Sequence, residues 1–209
     1  MFSLQTIFGK GDKFYGLLEA SAESASSSAR ALSELLSSPT ARLSLEKFIM
    51  ARRQEKDLFA KISEELVNTF VTVLEREDIE ALNGALYKIP KTVEKFAERY
   101  TLAVGRIGDV DFSSRADMLE KACEILEQMV RVLRNGMDLD KIKKLNDQLQ
   151  SIEAEADRQI LELYRDAYSN ETDPIRYLIK MNLFEILEKA IDRCRDAGNV
   201  VYHIILKNS

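Results

Sequence analysis

Two stretches in the second half of the chain carry apolar residues at steps of three and four, and this spacing constrains the fold more than any other feature. A stripe of this kind is typical of long α-helices that pack side by side. The first stripe comprises Leu139, Ile142, Leu145, Leu149, Ile152, Ala156, Ile160 and Leu163. The second comprises Phe184, Leu187, Ile191, Cys194, Val201 and Ile205. A short connection between the two helices predicts that they are antiparallel neighbours.

Breaks in the helical pattern divide the chain into six helices. Only eight Gly and three Pro occur in 209 residues, and both residues disfavour helix interiors. Four breaks fall at "SSPT", "VGRIGDVDFSS", "RNGMD" and "ETDPI", and the acidic first turn of "EREDIEAL" marks the start of the third helix. The predicted helices span residues 12–36, 40–71, 75–103, 114–134, 138–168 and 174–207. Thr40 is the expected cap of the second helix, and Pro90 should kink the third helix rather than end it. The predicted fold class is all-α.

The six helices also divide into two sets of three. Sliding the chain by 100 residues places "RRQEKD" on "IEAEAD", so that Asp57 meets Asp157. Nearly the same offset places "ALYKIPK" on "ILEKAID". We therefore expect a single domain over residues 1–209, built from two pseudo-symmetric three-helix bundles at residues 12–104 and 112–207.

Composition and residue inventory exclude several classes of function. The charged residues (31%) are mixed in sign, with a formal net charge of −5, which disfavours nucleic-acid binding. No apolar run is long enough to cross a bilayer and no signal-peptide pattern opens the chain. A cytoplasmic protein, at most peripheral at the inner face of the membrane, is expected. Cys123 and Cys194 should be buried free thiols. The chain has a single histidine, His203, which is expected at the surface. One such histidine cannot supply the two Glu-x-x-His motifs of a di-iron centre, and on the sequence alone it disfavours a catalytic triad.

Four acidic residues are the strongest candidates for a functional site. Glu153 and Asp157 lie one turn apart at the edge of the fifth helix's stripe, and Glu188 and Asp192 repeat this pattern in the sixth helix. Like charges at this spacing repel each other on a helix. Antiparallel packing would bring all four carboxylates to one seam, where oxygen ligands could bind cations such as Fe, Mg, Mn or Zn.

Two other interpretations of these acids stay open. The carboxylates could form a solvated face that Arg158 and Arg193 neutralise. A metal held there could also activate water for phosphoester hydrolysis, although the chain offers no recognisable second set of acid and base groups.

Five segments, "EREDIEAL", "IEAEADR", "DPIRYL", "LEKAIDRCRDAGNVV" and the closing "ILK", together resemble the PhoU-like phosphate-transport regulators. The branch that they resemble most is the one associated with Pit-type phosphate permeases, and the match is most specific between residues 152 and 207. The resemblance implies a cytoplasmic, often dimeric regulator that acts on a membrane permease and does not catalyse a reaction. It also implies a bound metal, such as Fe, Zn or another divalent ion, held through Glu/Asp-x-x-x-Asp motifs.

The two halves of the chain differ in this motif. Glu153 with Asp157, and Glu188 with Asp192, match it in the second half. In the first half, two cations replace acids in the repeat alignment, with Arg53 opposite Glu153 and Lys91 opposite Asp192. We therefore expect the first-half metal cluster to be lost, with Arg53 or Lys91 pairing with Asp57.

The small-residue run "ASAESASSSARALS" in the first helix suggests a rival function. Small side chains would allow a close approach of two helices, so the chain could dimerise there and act as a scaffold without a role in transport. Ordinary packing of this helix inside the first bundle is the alternative explanation of the same run.

Overall fold

The computed structural model describes residues 4–37, 44–108 and 110–209 of the chain, and within these ranges it consists of helices and their connections. The helices are α1 (Leu4–Ser37), α2 (Glu46–Asn68), α3 (Arg76–Ile107), α4 (Ser113–Arg134), α5 (Leu139–Asn170) and α6 (Pro174–Lys207). The predicted all-α fold class is therefore confirmed. No helix within the described ranges combines the length and the apolar character needed to cross a membrane.

Aspartate side chains cap the starts of α5 and α6. The Asp138 side chain accepts a hydrogen bond of 3.0 Å from the backbone N–H of Lys141. The Asp173 side chain accepts one of 2.9 Å from the backbone N–H of Ile175, directly after Pro174. Each contact satisfies a backbone donor that the first turn of a helix leaves unpaired.

Other boundaries differ from the prediction by several residues. α1 already begins at Leu4, so the glycines of "FGKGD" do not interrupt it. α3 runs through Pro90 and on to Ile107, and it ends at Gly108, whose φ of +63° is unfavourable for other residues. Pro39 and Thr40, expected to separate the first two helices, lie outside the described residues.

α2 ends earlier than expected because a side chain of the next helix closes it. Arg76 donates hydrogen bonds to the backbone carbonyl oxygens of Leu66 and Thr69, the latter at 2.7 Å. These carbonyl groups have no partner inside the helix, so the guanidinium satisfies acceptors that water would otherwise have to reach. The helix consequently stops at Asn68 rather than at residue 71.

Each helix contacts the other two members of its own predicted set of three. α1, α2 and α3 pack against one another, and α4 contacts both α5 and α6, which also contact each other. The two sets meet through α1 against α4 and through α3 against α6. Each of these junctions joins helices that correspond in the predicted repeat, and the duplication itself stays a prediction.

A group of aromatic rings lies where the two sets of helices meet. Phe112, immediately before α4, is buried, and its ring centroid lies 5.6 Å from that of Phe96 and 5.9 Å from that of Tyr100, both on α3. On the other side, the Phe112 centroid is 4.5 Å from that of Phe184 on α6. Phe112 therefore connects the loop between the two sets of helices to the long α3–α6 contact.

The two cysteines and the small residues of α1 belong to the interior. Cys123 and Cys194 are buried free thiols, as predicted, with their Sγ atoms 3.5 Å apart. Ser21, Ser24 and Ser28 on α1 are buried within the chain, where α1 contacts α2, α3 and α4. The small-residue face is thus used for packing within the chain, which removes the basis for dimerisation through it.

Candidate functional site

Three acidic side chains come together where α5 packs against α6. Glu153 and Asp157 on α5 and Asp192 on α6 each offer a carboxylate oxygen, and these three oxygens lie within 4.8 Å of one another. We call these residues the acidic cluster. Among the residues predicted for a site, the structure thus brings three together across the α5–α6 seam.

The antiparallel arrangement of α5 and α6 is what places the acidic cluster. Towards one end of the seam, Gln150 Nε2 donates a 2.9 Å hydrogen bond to Asn199 Oδ1. Towards the other end, Lys180 Nζ lies 3.7 Å from Asp166 Oδ2. The sequence numbers rise along one helix as they fall along the other, so residues near 155 on α5 face residues near 192 on α6.

Glu188, the fourth predicted residue, lies beside the acidic cluster rather than within it. It is half-buried, and this burial raises its pKa to about 7, with repulsion from the clustered carboxylates adding to the rise. A carboxyl group with this pKa is partly protonated at neutral pH. Glu188 therefore responds to the negative charge of the cluster without sharing its closest contacts.

The electrostatics of the cluster itself are those of crowded carboxylates. Burial is the main cause that raises the pKa of Glu153, and the negative charges of Asp157 and Asp192 raise it further. Burial likewise raises the pKa of Asp192, with Asp157 adding to the effect. A cation placed among these groups would relieve both the repulsion and the cost of desolvation.

Arg195 on α6 supplies part of that positive charge. Its guanidinium donates to Glu153 Oε1, and its Nη2 atom lies 3.4 Å from Asp192 Oδ1 and 3.1 Å from Asp196 Oδ1. The two arginines that were expected to neutralise the cluster pair with acids outside it, Arg158 with Glu155 and Arg193 with Asp196. The sequence signal for Arg195 was its position three residues after Asp192, the same spacing that joins neighbours on a helix face.

The residues at the seam fit a divalent cation in their chemistry and spacing. Carboxylate oxygens within 4.8 Å of one another can share one ion whose metal–oxygen bonds are about 2.0–2.6 Å long. Asp157 is exposed and makes no ion pair or side-chain hydrogen bond with other described residues. Arg195 occupies one side of the cluster, so a metal would share Glu153 and Asp192 with the guanidinium or displace it.

The first bundle does not contain the pairing that the sequence predicted. Arg53, Asp57 and Lys91 are exposed, and no ion pair joins Asp57 to either cation in the described part of the chain. The buried face of α2 instead carries Arg52 and Glu55. The predicted pairing was wrong, because the repeat alignment followed identity in the acids rather than the direction of the apolar stripe.

Arg52 and Glu55 form a charged interior within the first bundle. Arg52 is 6% exposed, its Nε atom lies 3.7 Å from Glu94 Oε2, and its guanidinium stacks 4.0 Å from the centroid of the Tyr87 ring. Glu55 is fully buried and accepts a 2.7 Å hydrogen bond from the Ser21 hydroxyl. A fixed arginine thus supplies positive charge between α2 and α3, where no group of carboxylates comparable to the acidic cluster occurs among the described residues.

Burial dominates the behaviour of Glu55. It raises the pKa of this carboxyl group to about 7, although the hydrogen bond from Ser21 and the attraction of Arg52 both act to lower it. Its second oxygen is buried without a hydrogen-bond partner. An ionised form of Glu55 is therefore costly to the folded protein at neutral pH and above.

Comparison with solved structures identifies the class of fold. Two crystal structures from Shewanella oneidensis MR-1, of a PhoU-like protein and of a "putative PhoU-like phosphate regulatory protein", match this chain with TM-scores of 0.78 and 0.77. Each is 17% identical in sequence, and each match covers 93% of this chain and 99% of the other. The protein therefore has a PhoU-like fold, and the predicted resemblance is confirmed.

Sequence comparison adds two distantly related proteins. The chain is 18% identical over 201 residues to the "Putative pit accessory protein" of Rhizobium meliloti (strain 1021), covering 94% of both chains. It is 24% identical over 151 residues to the UPF0111 protein YkaA of Bacillus subtilis (strain 168), covering 69% of this chain and 70% of that one. No protein-family model matches the chain.

Proposed function

We propose that this protein regulates the uptake of inorganic phosphate as an accessory protein of a Pit-type membrane permease, and that it does not catalyse a reaction itself. The observation that carries the proposal is the agreement of two independent likenesses over nearly the whole chain. The PhoU-like fold covers 93% of the chain, and the similarity to the Rhizobium meliloti protein covers 94%. We place the protein in the cytoplasm, docked at the inner face of the membrane when it meets the permease.

Co-purification tests this proposal. A tagged protein is purified from gently solubilised membranes of its native host, grown with abundant phosphate or starved of it, and bound proteins are identified by mass spectrometry. Enrichment of a phosphate permease over a mock-tagged control is the expected result. Recovery of soluble partners alone, or of none, under both growth conditions would contradict the proposal. We also propose that the protein is a homodimer. Light scattering of the protein purified free of membranes and permease measures this oligomeric state.

We further propose that the acidic cluster, with Glu188 beside it, binds a divalent metal such as Fe or Zn. The close approach of three carboxylate oxygens and the raised pKa values of Glu153 and Asp192 support this proposal. A bound ion would supply positive charge that locks α5 to α6, because each helix contributes ligands. Arg195, which donates to Glu153 from α6, holds the same two helices together from the other side of the cluster.

Loss of two ligands should remove the metal. In the double variant Asp157→Asn/Asp192→Asn, one charged ligand is lost from each helix, so the metal content measured by mass spectrometry after loading and dialysis should fall from near one ion per chain to background. The matched control Asp140→Asn/Asp147→Asn changes two exposed acids of α5 outside the cluster and should keep the wild-type content. Equal content in both variants would show that the ligands lie elsewhere.

Removing the Arg195 guanidinium, which competes with the metal for Glu153 and Asp192, should strengthen metal binding. Arg195→Gln leaves the carboxylates in place and takes away one positive charge, so Mn²⁺ should bind about three- to tenfold more tightly, since a unit charge a few ångströms away contributes roughly 1 kcal/mol in a water-exposed setting. Isothermal titration measures this change. Arg131→Gln, which removes an arginine of α4 that is paired with Glu127, serves as the control, and weaker binding by the Arg195 variant would contradict the proposed geometry.

A further inference from the structure

A groove with an unusual charge lies between α3 and α6. It has a volume of about 510 Å³, and α3 contributes Lys88, Lys91 and Lys95 to its lining while α6 contributes Lys189 and Arg193. We call this feature the lysine groove. Its size falls in the range of small-molecule sites, about 300–1,000 Å³.

The positive charge of the groove is largely uncompensated. The four lysines make no ion pair and no side-chain hydrogen bond with any residue in the described ranges. Two acids, Glu94 and Glu98, also line the groove, and Arg193 is paired with Asp196, so the four lysines exceed the lining acids by two charges. The chain as a whole carries a net charge of −5, so this concentration of unpaired cations runs against the overall balance.

One of the two acids, Glu94, already has a cationic partner outside the groove. Glu94 is drawn towards α2, where Arg52 Nε lies 3.7 Å from its Oε2 atom. Burial and repulsion from Glu98 raise the pKa of Glu94, while Arg52 and Lys56 lower it. Glu94 therefore already has a partner in Arg52, behind the groove, and the unpaired lysine ammonium groups remain available to a ligand.

The packing of α3 against α6 turns two separate rows of cations into one site. The helices are antiparallel, since Lys207 Nζ lies 2.9 Å from Asp78 Oδ1 at one end and Arg99 donates to Asn182 at the other. Lys88, Lys91 and Lys95 lie on one face of α3, and the step of seven positions from Lys88 to Lys95 corresponds to about 10 Å along the helix axis. A single phosphate ion could contact only part of this row, whereas a chain of linked phosphates could follow it.

The rest of the lining narrows the class of ligand. The described residues that form the groove include no aromatic side chain on which a nucleobase could stack, and Ile186 is the one large apolar contributor. Lysine ammonium groups bind phosphate as point charges, and they do not require the planar, paired geometry that arginine offers to carboxylates. The lining therefore disfavours a nucleoside, and its lysines suit phosphate groups, which they bind as point charges.

We propose that the lysine groove binds an anion that carries two or more linked phosphate groups, of the inorganic oligophosphate type. The proposal does not rest on the permease or on the metal site. Contacts to both helices would make such an anion a clamp between the two sets of three helices, because α3 belongs to the first set and α6 to the second.

Isothermal titration of the full chain with sodium tripolyphosphate tests the proposal, with EDTA present so that the acidic cluster holds no metal. The triple variant Lys88→Gln/Lys91→Gln/Lys95→Gln should weaken binding about tenfold or more, since several charge-assisted contacts are lost together. The control Lys121→Gln/Lys143→Gln/Lys144→Gln removes the same charge from exposed lysines outside the groove and should leave the affinity within about twofold.

Parallel titrations with inorganic phosphate, ATP and a tetraglutamate peptide decide the class of ligand. Inorganic phosphate should bind more weakly than tripolyphosphate, and neither ATP nor a tetraglutamate peptide should bind more tightly. Absence of tripolyphosphate binding, or an equal loss in the control variant, would overturn the site. Tighter binding of ATP would overturn the inorganic assignment in favour of a nucleotide, and tighter binding of the peptide would reassign the groove to an acidic protein segment.

Discussion

Replacing Phe112 with alanine should lower the free energy of unfolding by about 3–5 kcal/mol, the range that buried Phe-to-Ala substitutions cost. The side chain is buried, with ring neighbours on α3 and on α6 at centroid distances of 4.5 to 5.9 Å. The loss combines the transfer of the ring to solvent with a cavity that the long helices on either side cannot easily close.

Urea denaturation monitored by circular dichroism measures this effect. Phe70→Ala provides a matched control, because Phe70 lies between α2 and α3 and is 97% exposed, so its removal should change the free energy of unfolding by less than about 0.5 kcal/mol. A similar, small change in both variants would show that Phe112 does not hold the two sets of helices together as described.

Glu55→Gln should alter how stability depends on pH. The folded protein holds the pKa of Glu55 at about 7, above the ordinary value of about 4.3 in an unfolded chain. Between these two pKa values the folded state binds one more proton than the unfolded state. The contribution of Glu55 to the free energy of unfolding therefore falls steadily as the pH rises from about 4 to about 7 and is constant above that. Glutamine cannot ionise and can still accept the hydrogen bond from Ser21, so it avoids this loss.

Between pH 5 and pH 8, the stability of Glu55→Gln relative to the wild type should rise by about 3 kcal/mol, since one pKa unit corresponds to about 1.4 kcal/mol. Free energies of unfolding are measured for both proteins at pH 5 and pH 8, and the difference between variant and wild type should move in favour of the variant by this amount. Glu64→Gln, at an exposed position of the same helix, should show no such movement. A constant difference for Glu55→Gln would mean that the carboxyl group is ionised in the folded protein at both pH values.

The architecture could be predicted from sequence because its signals are local. Asp138 and Asp173 cap α5 and α6 within three residues of their own positions, so the sequence next to each helix start contains the cause. The apolar stripes of α5 and α6 likewise predict the seam, and with it the meeting of Glu153, Asp157 and Asp192. By contrast, the end of α2 depends on Arg76, which reaches back from the following helix, and no pattern within α2 signals it.

The charged interactions could not be predicted in the same way. Whether Arg52 or Arg53 faces the interior depends on the rotation of α2, and a shift of one residue turns a helix by about 100°. Arg195, rather than Arg158 or Arg193, neutralises the cluster because it alone combines its position on α6 with reach to Glu153 on α5. The lysine groove joins residues about 100 positions apart in sequence, and each row of cations on its own is indistinguishable from a solvated helix face.

α6 borders both of the charged features that we propose to be functional. Asp192 and Glu188 face α5, whereas the adjacent residues Arg193 and Lys189 face α3. A ligand in either place would contact the same two turns of this helix. Small displacements of packed helices are a common means of switching, so metal and anion would act on a shared element if both bind.

The most direct test of the central claim is the initial rate of radiolabelled phosphate uptake in four strains of the native host: wild type, a deletion of the gene for this protein, a deletion of the co-purified permease, and the double deletion. We predict that loss of this protein changes the rate, that a plasmid copy restores it, and that the change vanishes when the permease is absent. An unchanged rate in the single deletion, under both abundant and limiting phosphate, would contradict the account.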